Sequence, residues 1–183
     1  VAELVLLCLP TIVYLVVQSR GQDRRSRFRA ALARAGVSWG SPASYGWALL
    51  VLLLLTPTVW LPLTLIPADV QGASGLSLVR LTSVGTAIGI ALRAIGEEVF
   101  FRGLLGGVLM RRLGFKWGNL LQAIIFLAPH MALLLLDVRL WPLLPAQFAA
   151  GWVMGWLRHK TDTFVPGAVV HVMVNIAVGL ITA

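Results

Sequence analysis

The sequence predicts an all-α fold, a polytopic membrane helical bundle of about six transmembrane spans. Three observations carry that reading. Apolar residues make up 58% of the 183-residue chain and charged residues 12%, about half of what a typical soluble domain holds. Mean hydropathy is +0.88, so the chain is apolar along most of its length and not on one face of each helix. The third is a series of charge-free runs, each near membrane-crossing length. Together they exclude a soluble globular enzyme, a disordered segment and a disulfide-rich secreted module. Cys8 is the single cysteine, so no internal disulfide can form. An apolar start at Val1 carries the expectation of a longer parent chain.

The spans follow in order. Residues 4–19 form the first, and 45–66 the second, with Pro57 and Pro62 inside it. Residues 78–110 are apolar but interrupted by Arg93, Glu97, Glu98 and Arg102. As one helix this stretch would run about 50 Å, too long for a ~30 Å hydrocarbon core. A tilted or broken helix is expected there, with Gly103, Gly106 and Gly107 as the break. Residues 117–136, 140–157 and 163–183 complete six spans. The chain divides into N-terminal spans, 1–77, and a core, 78–183.

Charge sets the orientation. The net charge is +8, and eleven of the fifteen basic residues fall in alternate gaps. These gaps hold Arg20, Arg24, Arg25, Arg27, Arg29 and Arg34, then Arg111, Arg112 and Lys116, then Arg158 and Lys160. Gaps 20–36, 111–117 and 158–162 are therefore cytoplasmic, and both ends of the chain face outward. Membrane orientation accounts for this charge, and no nucleic-acid partner is expected. Residues 22–35 read either as an amphipathic helix on anionic lipid or as a solvated basic loop.

Four ionisable residues lie inside the third span, where each costs roughly 2.5–3.5 kcal/mol if unpaired. Arg93–Glu97 and Glu98–Arg102 are both i,i+4 pairs, so a purely structural ion ladder is one reading. Two histidines favour chemistry. By helical rise, Glu97 lies about 20 Å from the cytoplasmic end of its span and His130 about 20 Å from the start of the next. His171 and Asn175 lie roughly 10–18 Å into the last span. All four reach one level. Pro129 leaves the carbonyl of Ile125 without a helical partner beside His130.

Glu97-Glu98-Val-Phe-Phe-Arg102, then Phe126-x-x-x-His130, then His171-x-x-x-Asn175 closely resemble the ordered motifs of the CPBP family. These are the CAAX-protease and bacteriocin-processing intramembrane peptidases, also called Abi. The stretch from Gly151 to Arg158 looks like the family's glycine-bearing helix, and the resemblance covers about residues 78–183. It implies hydrolysis of a peptide bond in a membrane-bound protein or peptide, by an integral, multi-pass membrane protein. Glu97 would be the general base, His130 would orient or share the proton, and His171 and Asn175 would stabilise the oxyanion. Glu98 and Arg102 would hold Glu97 in place. The family is often labelled metalloprotease, and Glu97, His130 and His171 are candidate Zn²⁺ ligands, but no His here is followed by Glu as the helical zinc motif requires. A metal-free mechanism is preferred, with zinc the alternative. An arginine- and alanine-rich composition points to a high-GC bacterium, hence to a bacterial cytoplasmic membrane and away from prenylated substrates.

Other classes fit less well. Gly72-Ala-Ser74-Gly75 matches a rhomboid-like Gly-x-Ser-Gly, but it sits in an outward loop and reads as a turn. Gly-x-Gly-Asp, the mark of aspartyl intramembrane proteases, does not occur. A transporter would show inverted repeats, and none is evident. An inactive scaffold or immunity protein is the remaining alternative, although it would have no need of the intact Glu/His set.

Overall fold

A computed structural model of the chain describes residues 2–71 and 81–181, which are mostly helical with no strand among them. Helices α1 (Ala2–Gln18), α2 (Arg24–Arg34), α3 (Pro42–Thr64) and the short α4 (Ala68–Gln71) come first. Then α5 (Val84–Glu97) runs directly into a π-helix, π1 (Glu98–Gly106), and on into α6 (Gly107–His130). The short α7 (Leu133–Leu136) and a 3-10 turn (Val138–Leu140) lead to α8 (Leu143–Thr161) and α9 (Val165–Ile181). The Ser74 motif lies outside the described residues.

Local chemistry sets the helix starts. Ser41 caps α3 in a reciprocal pair with Ser44, with Pro42 at the first helical position. Ser83 and Thr86 make the same pair at the start of α5. The basic segment is helical over Arg24–Arg34.

The third stretch does not break at the expected glycines, and the chain turns instead in the 111–117 gap that follows it. Gly103, Gly106 and Gly107 stay helical, and the chain reverses at Gly114, whose φ of 74° and ψ of 167° suit only glycine. Beyond it, residues 115–130 fold back on 98–113. Phe126 stacks edge-on against Phe101 at 5.1 Å, and a Cβ on Gly118 would lie 2.6 Å from the backbone of Leu109 and Met110. The other glycines serve close approach instead. A Cβ on Gly107 would meet the Arg34 carbonyl at 2.8 Å, so α2 packs against the hairpin there.

Helices α3, α8 and α9 share a core of Ala48, Val51, Leu55, Met154, Leu157, Val170, Val174 and Val178. Helix α1 packs on α5 and π1, and α6 packs on α8. Outside the core the polarity is inverted. Leu6 (70%), Leu53 (63%) and Leu61 (58%) are exposed, while Glu98, Arg102, Asn119 and Gln122 are at most 1% exposed. A water-soluble protein would aggregate through such a surface, whereas a bilayer solvates it. Two helical stretches, Pro42–Thr64 and the reversing run Val84–Leu136, are long and apolar enough to cross a membrane. Ala2–Gln18 and Val165–Leu180 are apolar but shorter. At the opposite end from Gly114, Arg139 bridges Asp69 (2.9 Å) and Asp137 (2.8 Å), and its hydrogen bonds hold the Asp137 carboxyl below the usual carboxylate range.

Candidate active site

The two i,i+4 pairs occupy different environments. Arg93 Nε donates to Glu97 Oε1 at 3.1 Å, and the Arg93 side chain is 44% exposed. Arg102 Nη1 lies 2.9 Å from Glu98 Oε1, and both side chains are fully buried. Adjacent residues project about 100° apart on a helix, so Glu97 and Glu98 leave the backbone in different directions. The π-helix that opens at Glu98 supports this turn. Thr11 of α1 donates to the Val99 carbonyl there at 3.4 Å.

Both carboxylates converge on one imidazole. His171, on α9, donates Nδ1–H to Glu98 Oε1 at 2.9 Å, and its Nε2 lies 3.8 Å from Glu97 Oε2. His130, at the end of α6, donates Nδ1–H to the Phe126 carbonyl at 2.8 Å, so in the neutral ring Nε2 is left as the acceptor. Glu97, Arg93 and His171 are near enough to act electrostatically on that ring. Phe126 is the platform beneath. The Arg102 guanidinium sits 4.1 Å over its ring, and the His130 ring is 4.6 Å from it.

Four of the six residues singled out in sequence therefore form one chain, Arg102–Glu98–His171–Glu97, with His130 beside it. Asn175 is one turn beyond His171 on α9, half-buried, and its side chain makes no hydrogen bond among the described residues. The pairing differs from expectation in one respect. Arg93 tethers Glu97, whereas Glu98 and Arg102 orient His171. Two contributors escaped sequence reading. One is Thr11, whose signal was a small hydroxyl in the middle of a mostly apolar span. The other is Gly167, where a Cβ would lie 3.5 Å from Glu98 Oε2, a buried oxygen without a partner.

A family model described as type II CAAX prenyl endopeptidase Rce1-like matches residues 79–177, just over half of the chain and all six of these side chains. The chain belongs to the Rce1-like CAAX endopeptidase family. This agrees with the CPBP resemblance, and it makes the protein a member of a membrane-embedded protease family. No curated protein and no solved structure gave a significant match.

The Rce1-like site offers the donor types of a zinc centre without its spacing. Both histidines anchor Nδ1 and leave Nε2 free, as metal-binding histidines do. Yet no three His, Cys, Asp or Glu side chains among the described residues gather closely enough to hold a metal. The 3.8 Å between Glu97 Oε2 and His171 Nε2 exceeds the ~3.3 Å edge of a tetrahedral zinc site with ~2.0 Å bonds. As arranged, these residues do not fit Zn²⁺.

Proposed function

We propose that this chain is an intramembrane endopeptidase that hydrolyses a peptide bond of a membrane-associated protein or peptide by glutamate-activated water. The observation that carries the reading is the convergence of Glu97 and Glu98 on His171, with His130 beside them, in a protein whose outside is apolar. Six spans place residues 20–36, 111–117 and 158–162 on the cytoplasmic side. The reversal at Gly114 supports this arrangement, because it divides the longest apolar run in two. Residues 78–183 form the catalytic core, 1–77 flank it, and the protein resides in a bacterial cytoplasmic membrane in contact with its lipid.

Glu97 takes the proton of the attacking water and returns it to the amine nitrogen as the C–N bond of the tetrahedral intermediate breaks, leaving a carboxylic acid and a free amine. Nε2 of His130 accepts the second hydrogen bond of that water and fixes its lone pair on the scissile carbonyl. The tetrahedral oxyanion needs donors. Asn175 supplies an amide N–H, and His171 supplies Nε2–H when it carries both ring protons. That imidazolium would lie between two carboxylates, with Arg102 and Arg93 beyond them, so charge alternates along the chain. Fixed alternation of this kind favours a negative transition state without reorganisation.

The family's name points to the C-terminal peptide of a lipid-modified protein as the substrate class. Purified protein in liposomes, given a membrane-anchored reporter with a cleavable C-terminal peptide, should release one defined fragment seen by mass spectrometry. Failure to cleave prenylated, acylated and unmodified reporters alike would point to an inactive scaffold or immunity role.

A further inference from the structure

A second concentration of charge lies well away from the glutamates. Tyr14 and Gln18 of α1, Arg34 of α2, and Val108, Arg111 and Arg112 of α6 line a cavity of about 230 Å³. None of these six is acidic, and no Asp or Glu among the described residues pairs with any of the three arginines. The arginines are held by neutral groups instead. Arg34 Nη2 donates to Gln18 Oε1 at 3.3 Å, and Arg111 Nη1 donates to the Arg34 carbonyl at 2.8 Å.

Capping the end of α2 explains only part of this. The Arg34 carbonyl already receives Arg158 Nη2 at 3.3 Å as well as Arg111. Capping leaves Arg34 Nε buried without a partner and gives Arg112 no role. Like charges facing one cavity repel, and each guanidinium carries five donors. An anion with several acceptor oxygens relieves both.

We propose that this cavity is a phosphate site that holds the headgroup of an anionic phospholipid. A tetrahedral phosphate presents oxygens in several directions and meets guanidinium forks from two helices, whereas a planar carboxylate meets one fork well. Position argues for lipid as the source. The three arginines belong to the gaps that charge asymmetry puts at the cytoplasmic headgroup level. Val13, Val16 and Val17, flanking Tyr14 on α1, are 53%, 47% and 50% exposed, so acyl chains can lie directly beneath the cavity.

Native mass spectrometry of the full chain in neutral detergent, titrated with phosphatidylglycerol or phosphatidylcholine, tests the site. Phosphatidylglycerol should be retained preferentially, and Arg111→Gln/Arg112→Gln should weaken retention by about tenfold or more. The single Arg112→Gln variant, whose side chain makes no hydrogen bond among the described residues, should weaken it in the same direction even if the double variant folds poorly. Arg24→Gln/Arg25→Gln removes equal charge from α2 outside the cavity and should leave retention unchanged. Equal retention of the two lipids, or equal loss in the Arg24/Arg25 variant, would overturn the proposal. Binding of inorganic phosphate with no preference for phosphatidylglycerol would support the phosphate chemistry and overturn the lipid assignment.

Discussion

Nδ1 of His171 donates to Oε1 of Glu98 at 2.9 Å, across 73 positions of sequence and between two different helices. That bond ties the last helix to the start of the π-helix and fixes which face of the imidazole looks toward Glu97. Glu98 is thus a positioning residue, with Arg102 as its counter-charge.

Breaking that arrangement should cost stability as well as activity. Arg102→Ala leaves a buried carboxylate without its ion-pair partner, at roughly 3–5 kcal/mol. Folded yield and detergent melting temperature should both fall, while Arg102→Lys should recover part of each. A fully folded, fully active Arg102→Ala protein would mean that the pair contributes little.

Asn175 separates oxyanion stabilisation from folding. Loss of one such donor typically lowers kcat by about 10²–10³. Asn175→Ala should fall in that range with KM little changed and melting temperature unaltered. An unchanged kcat would remove Asn175 from the site.

Much of this was legible in sequence, for physical reasons. The apolar runs mark helices α1, α3, α5, α6, α8 and α9 because a bilayer demands continuous apolar length. The i,i+4 spacing gave both ion pairs because helical geometry brings those residues together. Helix phase was not legible. Which ring nitrogen of His171 faces Glu97 and which faces Glu98 depends on the π turn that begins between them, and that turn has no sequence signature. The reversal at Gly114 falls inside the 111–117 gap read as a loop, but the break expected at Gly103, Gly106 and Gly107 does not occur, for a similar reason. Gly103, Gly107 and Gly114 look alike in sequence, but the first two let the Ala35 and Arg34 carbonyls of the α2 end approach, and only Gly114 takes a positive φ.

Gly114 therefore carries its own prediction. Gly114→Ala places a Cβ in a backbone region that is close to glycine-only and should cost about 1–3 kcal/mol. Open space around the position means the cost is conformational and not a clash. Gly89→Ala, also in open space but inside α5, should be neutral or stabilising. Detergent melting curves of the two variants distinguish these outcomes, and equal melting temperatures would rule out the strained reversal.

Topology is tested by labelling. Single cysteines at Gln22, Lys116 and Lys160, in a Cys8→Ser background, occupy exposed positions in the three basic gaps. They should resist impermeant thiol reagents in intact cells and react once the membrane is opened. External labelling at any two of them would invert the assigned orientation.

The role of Glu97 is the centre of the account, and one substitution addresses it directly. Glu97→Gln keeps the shape of the side chain and an acceptor for Arg93 but removes the carboxylate that takes the water's proton. Single-turnover cleavage of a membrane-anchored reporter in liposomes should drop to background in this variant, with the melting temperature close to wild type. Cleavage by Glu97→Gln at the wild-type rate would contradict glutamate-activated hydrolysis at this site.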